Sequence, residues 1–298
     1  MPLSTEGLDV LVCIKQVPDV TEMKIDPETH TLLREGVPSI VNPFDEHAVE
    51  AAVRIREALG GKVTVISMGP PQAEEALRQC LQMGADEAFL ISDRALVGSD
   101  TIATSYCLSR AIATIGKCDL ILCGQQAIDG DTAQVGPGIA ENLSLPQVTC
   151  VSSIEVQDNR KKAIVRREIE GGYEVVECSL PAVFTVTKSI NSPRPPATEI
   201  RGRQVRRLGV LDINCDPERI GLKGSKTWVM DMFPPKPNRR GVNAIESTLP
   251  AAERIRLLIS GGLRERKGDI LTGCSLEQVA AQWVNHLANW GLSRVGTP

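Results

Sequence analysis

Apolar and polar positions follow two alternating patterns over the first half of the chain. Short apolar runs predict buried strands, and segments with apolar residues three or four positions apart predict helices. The strands are predicted at residues 10–14, 62–67, 88–91 and 119–123, and the helices at residues 43–59, 70–83, 101–115 and 135–143. This alternation predicts a doubly wound α/β fold, with a mostly parallel sheet of the nucleotide-binding, Rossmann-like class.

The pattern changes after Pro146. Residues 147–156, 163–170 and 173–178 predict strands joined by hairpin turns, so an antiparallel extension is expected beside the parallel core. Residues 181–187 predict one more apolar strand. Residues 189–207 are rich in proline and arginine and predict a long exposed loop. This loop is either a solvated basic connection or a docking surface.

The C-terminal part of the chain predicts a separate helical arm. Residues 233–237 indicate an extended linker, and the following tail contains helical patterns at 251–259 and 275–290. Trp283 and Trp290 lie on one apolar face of the second helix, which needs either its own core or a partner subunit to pack on. We therefore expect an α/β domain over residues 1–235 and a C-terminal arm over residues 236–298.

Composition narrows the possible functions. The formal net charge is -4 and aromatic residues are 3% of the chain, so we expect no nucleic-acid partner. No apolar run approaches the roughly 20 residues that span a bilayer, and no signal peptide is visible, so a cytoplasmic protein is expected. The nine Cys include no C-x-x-C pair, and the three His show no metalloenzyme spacing. We therefore predict reduced thiols and no metal site.

The most informative stretch is GQQAIDGDTAQVGP at residues 124–137. It joins a predicted buried strand to a predicted helix, where free backbone N–H groups bind phosphate well. We expect Asp131 or Thr132 to cap the helix and the glycines to let a ligand approach the backbone. An ordinary acidic connection with a good cap is the alternative.

The ligand is expected where the strand order reverses, between the first and fourth predicted strands. The loops at residues 15–19 and 124–131 would flank that crevice, and the helix start at Asn42 and the turn at Met68 could close it. Pro43 suits the first helical position, and Asp45 adds an anion to the first turn. The chain contains no G-x-G-x-x-G, Walker or G-x-S-x-G motif, and no catalytic residue is assigned. This favours a bound cofactor that does the chemistry itself.

Five segments resemble the beta (small) subunit of electron-transferring flavoproteins. They are VCIKQVPD at 12–19, VNPFD at 41–45, MGAD at 83–86, the loop at 124–137 and LPAV at 180–183. Together they extend over about residues 8–235 in the order found in the family. The resemblance implies a heterodimer with an alpha subunit that carries its own FAD, and oxidoreductase activity in the complex alone.

The resemblance also implies a nucleotide in the beta subunit. Its matching positions are Cys13, Asn42, Pro43, Phe44, Asp45, Met68, Gly124, Gln125, Gln126, Ala127, Ile128, Asp129, Gly130, Asp131, Thr132, Ala133, Gln134 and Val135. In ordinary members the nucleotide is structural AMP. In the electron-bifurcating subgroup it is FAD, which accepts hydride from NADH. One electron then goes to ferredoxin or flavodoxin, and the other goes through the alpha-subunit FAD to an acyl-CoA dehydrogenase or a quinone-linked acceptor.

Two positions bear on the choice between FAD and AMP. The loop DGDTAQVGP at 129–137 is similar to the bifurcating version, because the AMP version carries a further Asp where Gly130 stands. Gly130 removes a charge and a side chain beside a diphosphate. Gln125, however, stands where the subgroup usually has a basic residue.

Residues 191–207 match the partner-recognition loop of the family in place but differ from it in sequence. The helices of the C-terminal arm are expected to pack on the alpha subunit.

Overall fold

The computed structural model describes residues 7–19, 38–157, 160–198, 202–227 and 275–289. The chain forms two compact units, Met1–Met232 and Phe233–Pro298, and each is described by itself. In the second unit the described element is one helix, Leu276–Asn289. The helix predicted at 251–259, the linker at 233–237 and Trp290 lie outside the described residues.

The first unit is organised around a nine-stranded sheet in the order β11-β5-β4-β1-β6-β10-β7-β8-β9. Its strands are β1 (Val10–Cys13), β4 (Val63–Met68), β5 (Glu87–Ile91), β6 (Leu120–Gly124), β7 (Gln147–Val156), β8 (Lys162–Ile169), β9 (Gly172–Ser179), β10 (Ala182–Val186) and β11 (Val205–Leu208). A separate antiparallel pair joins β2 (Gln16–Pro18) to β3 (Ser39–Val41). The rest of the arm predicted near residues 23–41 lies outside the described residues.

Alternating side chains of the parallel strands enter two separate cores. Val10 and Val12 of β1 pack in one hydrophobic cluster, and Leu11 and Cys13 pack in the other. The first cluster includes residues of helices α1 (Pro43–Leu59) and α2 (Glu74–Met83), and the second includes residues of α3 (Thr101–Ile115) and α4 (Val135–Leu143). Because the strands are buried on both faces, their sequences are almost continuously apolar. The predicted doubly wound α/β fold is confirmed.

The antiparallel extension is also confirmed. β7, β8 and β9 form antiparallel pairs at one edge of the sheet. β10 is inserted between β6 and β7 and is parallel to both. Phe184 of β10 is fully buried, which contributes about 1.5 to 3 kcal/mol. β10 therefore joins the extension to the parallel core.

The prediction that residues 189–207 form a long exposed loop is wrong at its C-terminal end. Val205–Leu208 forms β11, an edge strand parallel to β5. The two central residues of β11 are arginines that bind carboxylates of the α/β unit. Arg206 binds Glu87, and Arg207 binds Glu74. Sequence patterning missed this strand because its central residues are charged and exposed.

Candidate functional site

The strand order reverses beside β1. β1 pairs with β4 on one side and with β6 on the other, although the chain passes through β4 and β5 before it reaches β6. The carboxyl ends of β1 and β6 therefore open into the crevice where doubly wound proteins bind ligands. A cavity of about 420 Å³ lies there.

Most of the residues predicted for the site line this cavity. They are Cys13, Asn42, Asp45, Met68, Gly124, Gln125, Gln126, Ala127, Gly130, Asp131, Thr132, Ala133, Gln134 and Val135. Four others, Pro43, Phe44, Ile128 and Asp129, do not line it. Lys15 and Gly136, which belong to the loops expected beside the ligand, also line it. Lining residues that sequence reasoning did not include are Ile14, Ser99, Asp100, Thr101, Thr104, Leu108 and Cys123.

The four residues outside the cavity support its wall or pack beside it. Pro43 is the first residue of α1, and Phe44 lies under the ammonium of Lys188, 4.7 Å from the ring centre. The Ile128 N–H donates to Asn42 Oδ1 at 3.2 Å. Asp129 accepts hydrogen bonds from Lys15 Nζ at 2.7 and 2.8 Å. Their places in the fold are therefore explained by contacts within the chain.

Asp45 joins the two strands that flank the cavity. Its Oδ2 accepts from the Lys15 N–H at 2.7 Å, just beyond β1. Its Oδ1 accepts from the Gly124 N–H at 3.0 Å, at the end of β6. One carboxyl from the first turn of α1 thus satisfies backbone donors on both sides of the crevice. This role is more specific than the expected interaction of an anion with the helix dipole.

The environment of Asp45 changes its protonation. Burial raises the pKa of this carboxyl to about 7, against the opposing effect of hydrogen bonds from the Lys15 N–H, the Asn42 side chain and the Gly124 N–H. A carboxylate needs its water shell replaced when it is buried, and these donors replace that shell only in part. The cavity therefore contains a carboxyl that titrates near neutral pH.

Asn42 holds the loop between β6 and α4. Asn42 occupies the N-cap position of α1, but its side chain makes no capping hydrogen bond. Its Nδ2 instead donates to the Gln126 carbonyl at 2.8 Å, and its Oδ1 accepts from the Ile128 N–H. These two bonds fix the start of the loop against α1. A capping residue and a loop anchor look alike in sequence, because both need a short side chain with an accepting oxygen.

Two glycines of the loop are needed for packing inside the protein. A Cβ on Gly124 would lie 2.2 Å from Asp45 Oδ1 and 2.7 Å from Phe44 Cβ. A Cβ on Gly136 would lie 2.5 Å from Thr185 Cγ2. The expectation that these glycines give a ligand access to the backbone is therefore replaced by a packing explanation. Gly130 differs, because no atom of the described residues lies within 4 Å of such a Cβ.

The loop enters α4 through strained backbone and an uncapped helix start. Asp131 and Ala133 have φ angles of 53° and 55°, in the left-handed region that non-glycine residues rarely adopt. The predicted cap by Asp131 or Thr132 is wrong, because Gln134 occupies the N-cap position and its side chain makes no capping bond. Asp131 instead accepts from Gln126 Nε2. The first N–H groups of α4 are thus left beside the cavity without a side-chain partner from the cap.

The start of α3 forms the opposite part of the wall. Asp100 Oδ1 accepts from the N–H groups of Ile102 and Ala103 at 3.0 Å, and its Oδ2 accepts from the N–H groups of Lys226 and Thr227. Burial opposes ionisation of Asp100, but these donors outweigh it and lower the pKa. Thr101 Oγ1 donates to Gln134 Oε1 at 2.9 Å, which links the starts of α3 and α4.

This second helix start could have been inferred in part from the sequence. The Ser99-Asp100-Thr101 cap is recognisable, but its place beside the cavity depends on the strand order. The connection from β5 to β6 crosses the sheet on the same side as α4, where α3 and α4 share one core. The start of α1, which the sequence predicts to close the crevice, lines the cavity, and the starts of α3 and α4 line it as well.

The charges and thiols around the cavity are arranged in pairs. Lys15 is the only Lys or Arg among the described residues that line it, and its ammonium is bound by Asp129. Cys13 and Cys123 are opposite each other in the parallel register of β1 and β6. A hydrogen bond with Cys123, together with burial, raises the pKa of the Cys13 thiol well above its usual value. The Cys13 thiol is therefore neutral near pH 7.

Two other features are absent from the described part of the chain. No cluster of three or more His, Cys, Asp or Glu side chains there has an arrangement that could hold a metal ion. None of the helices in those ranges combines the length and apolar composition needed to cross a bilayer.

The donor set of the cavity, with helix-start N–H groups, amides, hydroxyls and one lysine, suits an anionic nucleotide.

Comparison with known proteins is consistent with this donor set. Residues 29–210 match the family model described as "Electron transfer flavoprotein domain". The chain is 52% identical over 241 residues to "Electron transfer flavoprotein subunit beta" of Thermoanaerobacterium thermosaccharolyticum, covering 78% of this chain and 91% of that protein.

Two further relatives have other names. The chain is 50% identical over 244 residues to "Caffeyl-CoA reductase-Etf complex subunit CarD" of Acetobacterium woodii, covering 80% of this chain and 92% of the relative. It is 49% identical over 246 residues to "Protein FixA" of Azotobacter vinelandii, covering 80% and 88%. The family match over residues 29–210 includes α1, β6 and the loop from β6 to α4.

Proposed function

Because this chain belongs to the electron transfer flavoprotein family and has the beta subunit's role in electron transfer, we propose that its cavity holds FAD and that the subunit works in electron bifurcation. In this proposal NADH is the electron donor. The acceptors are ferredoxin or flavodoxin and, through the FAD of an alpha subunit, an acyl-CoA dehydrogenase or a quinone-linked acceptor. The chain then acts as an oxidoreductase in the complex alone, in the cytoplasm.

The residues of the cavity fit a dinucleotide cofactor. The uncapped first turn of α4 at Val135 and Gly136 leaves N–H donors for a phosphate group. Thr101 and Thr132 add hydroxyl groups to the cavity lining, and Lys15 adds a positive charge. Cys13 and Met68 add apolar, polarisable surface at the carboxyl ends of β1 and β4.

The chain's own residues position and enclose the bound group. FAD, when bound, supplies hydride acceptance and one-electron transfer. Asp45 and Asn42 hold the loops after β1 and β6 at fixed positions through four hydrogen bonds. The Thr101–Gln134 hydrogen bond holds the starts of α3 and α4 together. These contacts keep the donors in place before the cofactor arrives, which lowers the entropy cost of binding.

The observation that carries the choice of FAD is the free space at Gly130. Gly130 lines the cavity, and a side chain there would meet no atom of the described protein within 4 Å. The position is therefore open to the cofactor. The loop around it resembles the FAD-binding version, whereas the AMP version carries an Asp at this position. The name of the relative CarD, a subunit of a caffeyl-CoA reductase-Etf complex, also supports a role in such complexes.

One observation favours a second candidate, an ordinary subunit that holds structural AMP. Gln125 lines the cavity where the bifurcating subgroup usually has a basic residue, and its Nε2 donates to Gln126 Oε1 at 3.2 Å. A neutral amide gives less stabilisation to a reduced, anionic flavin than a cation would. The AMP-holding subunit would pass electrons from acyl-CoA dehydrogenases to the alpha-subunit FAD without using NADH.

The stoichiometry of released nucleotides separates these candidates. The chain is produced together with its alpha subunit, the complex is denatured, and FAD and AMP are quantified by chromatography. Two FAD and no AMP per heterodimer are expected. One FAD and one AMP would overturn the bifurcation proposal and leave the AMP-holding role. With two FAD found, NADH-driven reduction of ferredoxin by the complex is the next measurement.

A matched pair of variants tests the assignment of Gly130. Gly130→Asp is expected to lower FAD retention by between roughly fivefold and several hundredfold, since two unit charges 4 Å apart repel by about 1 to 4 kcal/mol between water and a protein surface. Gly130→Asn has the same size without the charge and is the control. Both variants should fold, because the added side chain meets open space. Equal FAD content in wild type and Gly130→Asp would contradict this assignment of the loop.

A further inference from the structure

Two thiols lie close together at the buried face of α3. Cys107 is in the second turn of α3 and is fully buried. Cys215 follows β11 and is half-buried, and its Sγ lies 3.8 Å from Cys107 Sγ. The two residues are 108 positions apart in the chain. Their sulfurs are therefore in van der Waals contact through tertiary packing and not through sequence proximity.

Cys215 belongs to a segment, residues 209–227, that crosses α3 and reaches the cavity wall. On one side of Cys215, Ile213 is buried in the core that α3 shares with α4. On the other side, the Asp216 N–H donates to Tyr106 Oη at 3.0 Å, and the Arg219 guanidinium lies 3.8 Å from the Tyr106 ring centre. The thiol pair thus lies within a continuous contact between this segment and α3.

The end of the same segment supports residues that line the cavity. Gly221 N–H donates to Ser99 Oγ at 3.0 Å, and Ser225 Oγ accepts from the Asp100 N–H at 2.8 Å. The backbone N–H groups of Lys226 and Thr227 both donate to Asp100. Ser99 and Asp100 line the cavity. A covalent bond at Cys215 would therefore restrain the segment that holds this wall in place.

We propose that Cys107 and Cys215 form a reversible disulfide when the protein meets a peroxide, and that this bond fastens residues 209–227 to α3 beside the cavity. The sulfurs lie 3.8 Å apart and need to close to about 2.05 Å for the bond to form. This crosslink is separate from the proposed cofactor chemistry and does not depend on which nucleotide occupies the cavity.

Cys215 is the thiol that reacts first. Burial raises the pKa of Cys215, but the Cys107 thiol and the Arg110 and Arg219 guanidinium groups oppose that rise. Burial also raises the pKa of Cys107, which lies deeper in the core and has no cation among the groups that affect it. The half-buried position of Cys215 also leaves it open to a small oxidant.

The reaction proceeds in two balanced steps. The Cys215 sulfur attacks one peroxide oxygen, the O–O bond breaks, and Cys215 sulfenic acid and one water form from hydrogen peroxide. The Cys107 sulfur then attacks the Cys215 sulfur, the S–O bond breaks, and the hydroxyl group leaves as water with the proton of Cys107. Two thiols lose two electrons, and one peroxide is reduced to two waters. A thiol reductant reverses the crosslink.

The test uses the full-length chain purified with its alpha subunit under reducing conditions. The complex is exposed to hydrogen peroxide, free thiols are blocked with N-ethylmaleimide in denaturant, and peptides are mapped without reduction. A peptide pair linking Cys107 to Cys215 is expected, and it should disappear after treatment with dithiothreitol. Cys215→Ser should abolish the pair. Cys118→Ser, at another half-buried cysteine, should leave it unchanged.

A second measurement follows the effect of the crosslink on the fold. Oxidation is expected to raise the urea midpoint of the wild-type chain and of Cys118→Ser, and to leave that of Cys215→Ser unchanged, because the crosslink restricts the unfolded chain. Linkage of Cys215 to a different cysteine would overturn the proposal. So would oxidation of Cys215 to sulfinic acid without any linked peptide.

Discussion

The cavity between β1 and β6 and the sheet edge at β11 are both built by polar side chains from distant segments, but they use those side chains differently. At the edge, Arg206 binds Glu87 and also lies over the Phe89 ring, and Arg207 binds Glu74. Arg203 binds Asp86. These charges are matched by partners within the chain, so the edge is stabilised by its own ion pairs.

The cavity leaves part of its polar groups without such partners. The N-cap residue of α4 makes no side-chain capping bond to the first N–H groups of the helix, and Asp131 and Ala133 hold left-handed backbone conformations. Asp45 and Asn42 are buried, and their hydrogen bonds hold the loops beside the cavity in this arrangement. The comparison indicates that the edge is stabilised by matched charges, whereas the cavity keeps helix-start donors and left-handed backbone beside the space that a ligand would fill.

The largest effect is expected from removing the anchor of the cavity. Asp45→Asn replaces one accepting oxygen by an NH₂ group, so one of the buried N–H groups of Lys15 and Gly124 loses its acceptor. The free energy of unfolding should fall by about 1 to 3 kcal/mol, as measured by urea denaturation at pH 6. Asp119→Asn is the control, because Asp119 accepts from the Asp9 N–H at the opposite end of β1 and β6 and is more exposed.

The pH dependence of this variant has a definite sign. The folded-state pKa of Asp45 is raised from 3.8 to about 7, so between these values the native protein holds a proton that the unfolded chain has lost. The contribution of Asp45 to stability is therefore greatest below pH 4 and declines as the pH rises toward 7. The gap between wild type and Asp45→Asn should narrow from about pH 4 to about pH 7 and then level off. A gap that widens would contradict the raised pKa.

An effect of similar size is expected at one position of the basic stretch that precedes β11, and a smaller one at its neighbour. Arg194 binds both Glu50, whose side chain is 2% exposed, and Glu57, whose side chain is 49% exposed. Glu50→Gln should lower the free energy of unfolding by about 1 to 3 kcal/mol, because it weakens buried, charge-assisted hydrogen bonds. Glu57→Gln should cost less than about 1 kcal/mol, because water screens the exposed pair. Urea midpoints of the two variants measure the difference.

This pair of variants also tests the role of residues 189–207. A large cost for Glu50→Gln means that Arg194 holds the stretch against α1 as part of the folded unit. Equal, small costs for both variants would instead favour the solvated basic connection expected from composition. In that case, a docking surface in residues 189–207, which is the other alternative, would have to be formed by residues other than Arg194.

More of the fold than of the candidate site could be predicted from the sequence. The strands and helices around β1 and β6 have local apolar patterns, and the reversal of strand order follows from their succession. The roles of Asn42 and Asp45 could not be predicted in the same way. Asn42 bonds to Gln126, 84 positions away, and Asp45 bonds to Gly124, 79 positions away. A local motif such as Asn-Pro-Phe-Asp indicates a helix start but not these partners.

The same limitation explains the glycines and β11. Gly124 and Gly136 are in a loop whose sequence suggests phosphate binding, yet their lack of a side chain is required by Asp45 and Thr185. β11 contains adjacent arginines and becomes a strand because β5 offers an unpaired edge and carboxylates lie nearby. Tertiary contacts decided both cases, and such contacts are not encoded in local periodicity.

The smallest effect is expected at the lysine that lines the cavity. Lys15 is held by Asp129, so its charge is partly neutralised before an anionic nucleotide binds. Lys15→Met should weaken nucleotide binding about two- to fivefold, because a partly exposed charge pair contributes about 0.2 to 1 kcal/mol. Asp129→Asn should strengthen binding by a similar factor, because it frees the ammonium. Titration of the nucleotide-depleted complex with FAD or AMP, at two salt concentrations, measures both effects.

The opposite signs of these two variants distinguish an electrostatic role from a structural one. If the Lys15–Asp129 pair mainly holds the loops after β1 and β6 together, both variants should weaken binding, and added salt should change neither effect. If Lys15 serves as the cation of the cavity, the difference between the variants should shrink at high salt, because exposed charges are screened. The second outcome would mean that the cavity, unlike the edge at β11, keeps its cation available for a ligand.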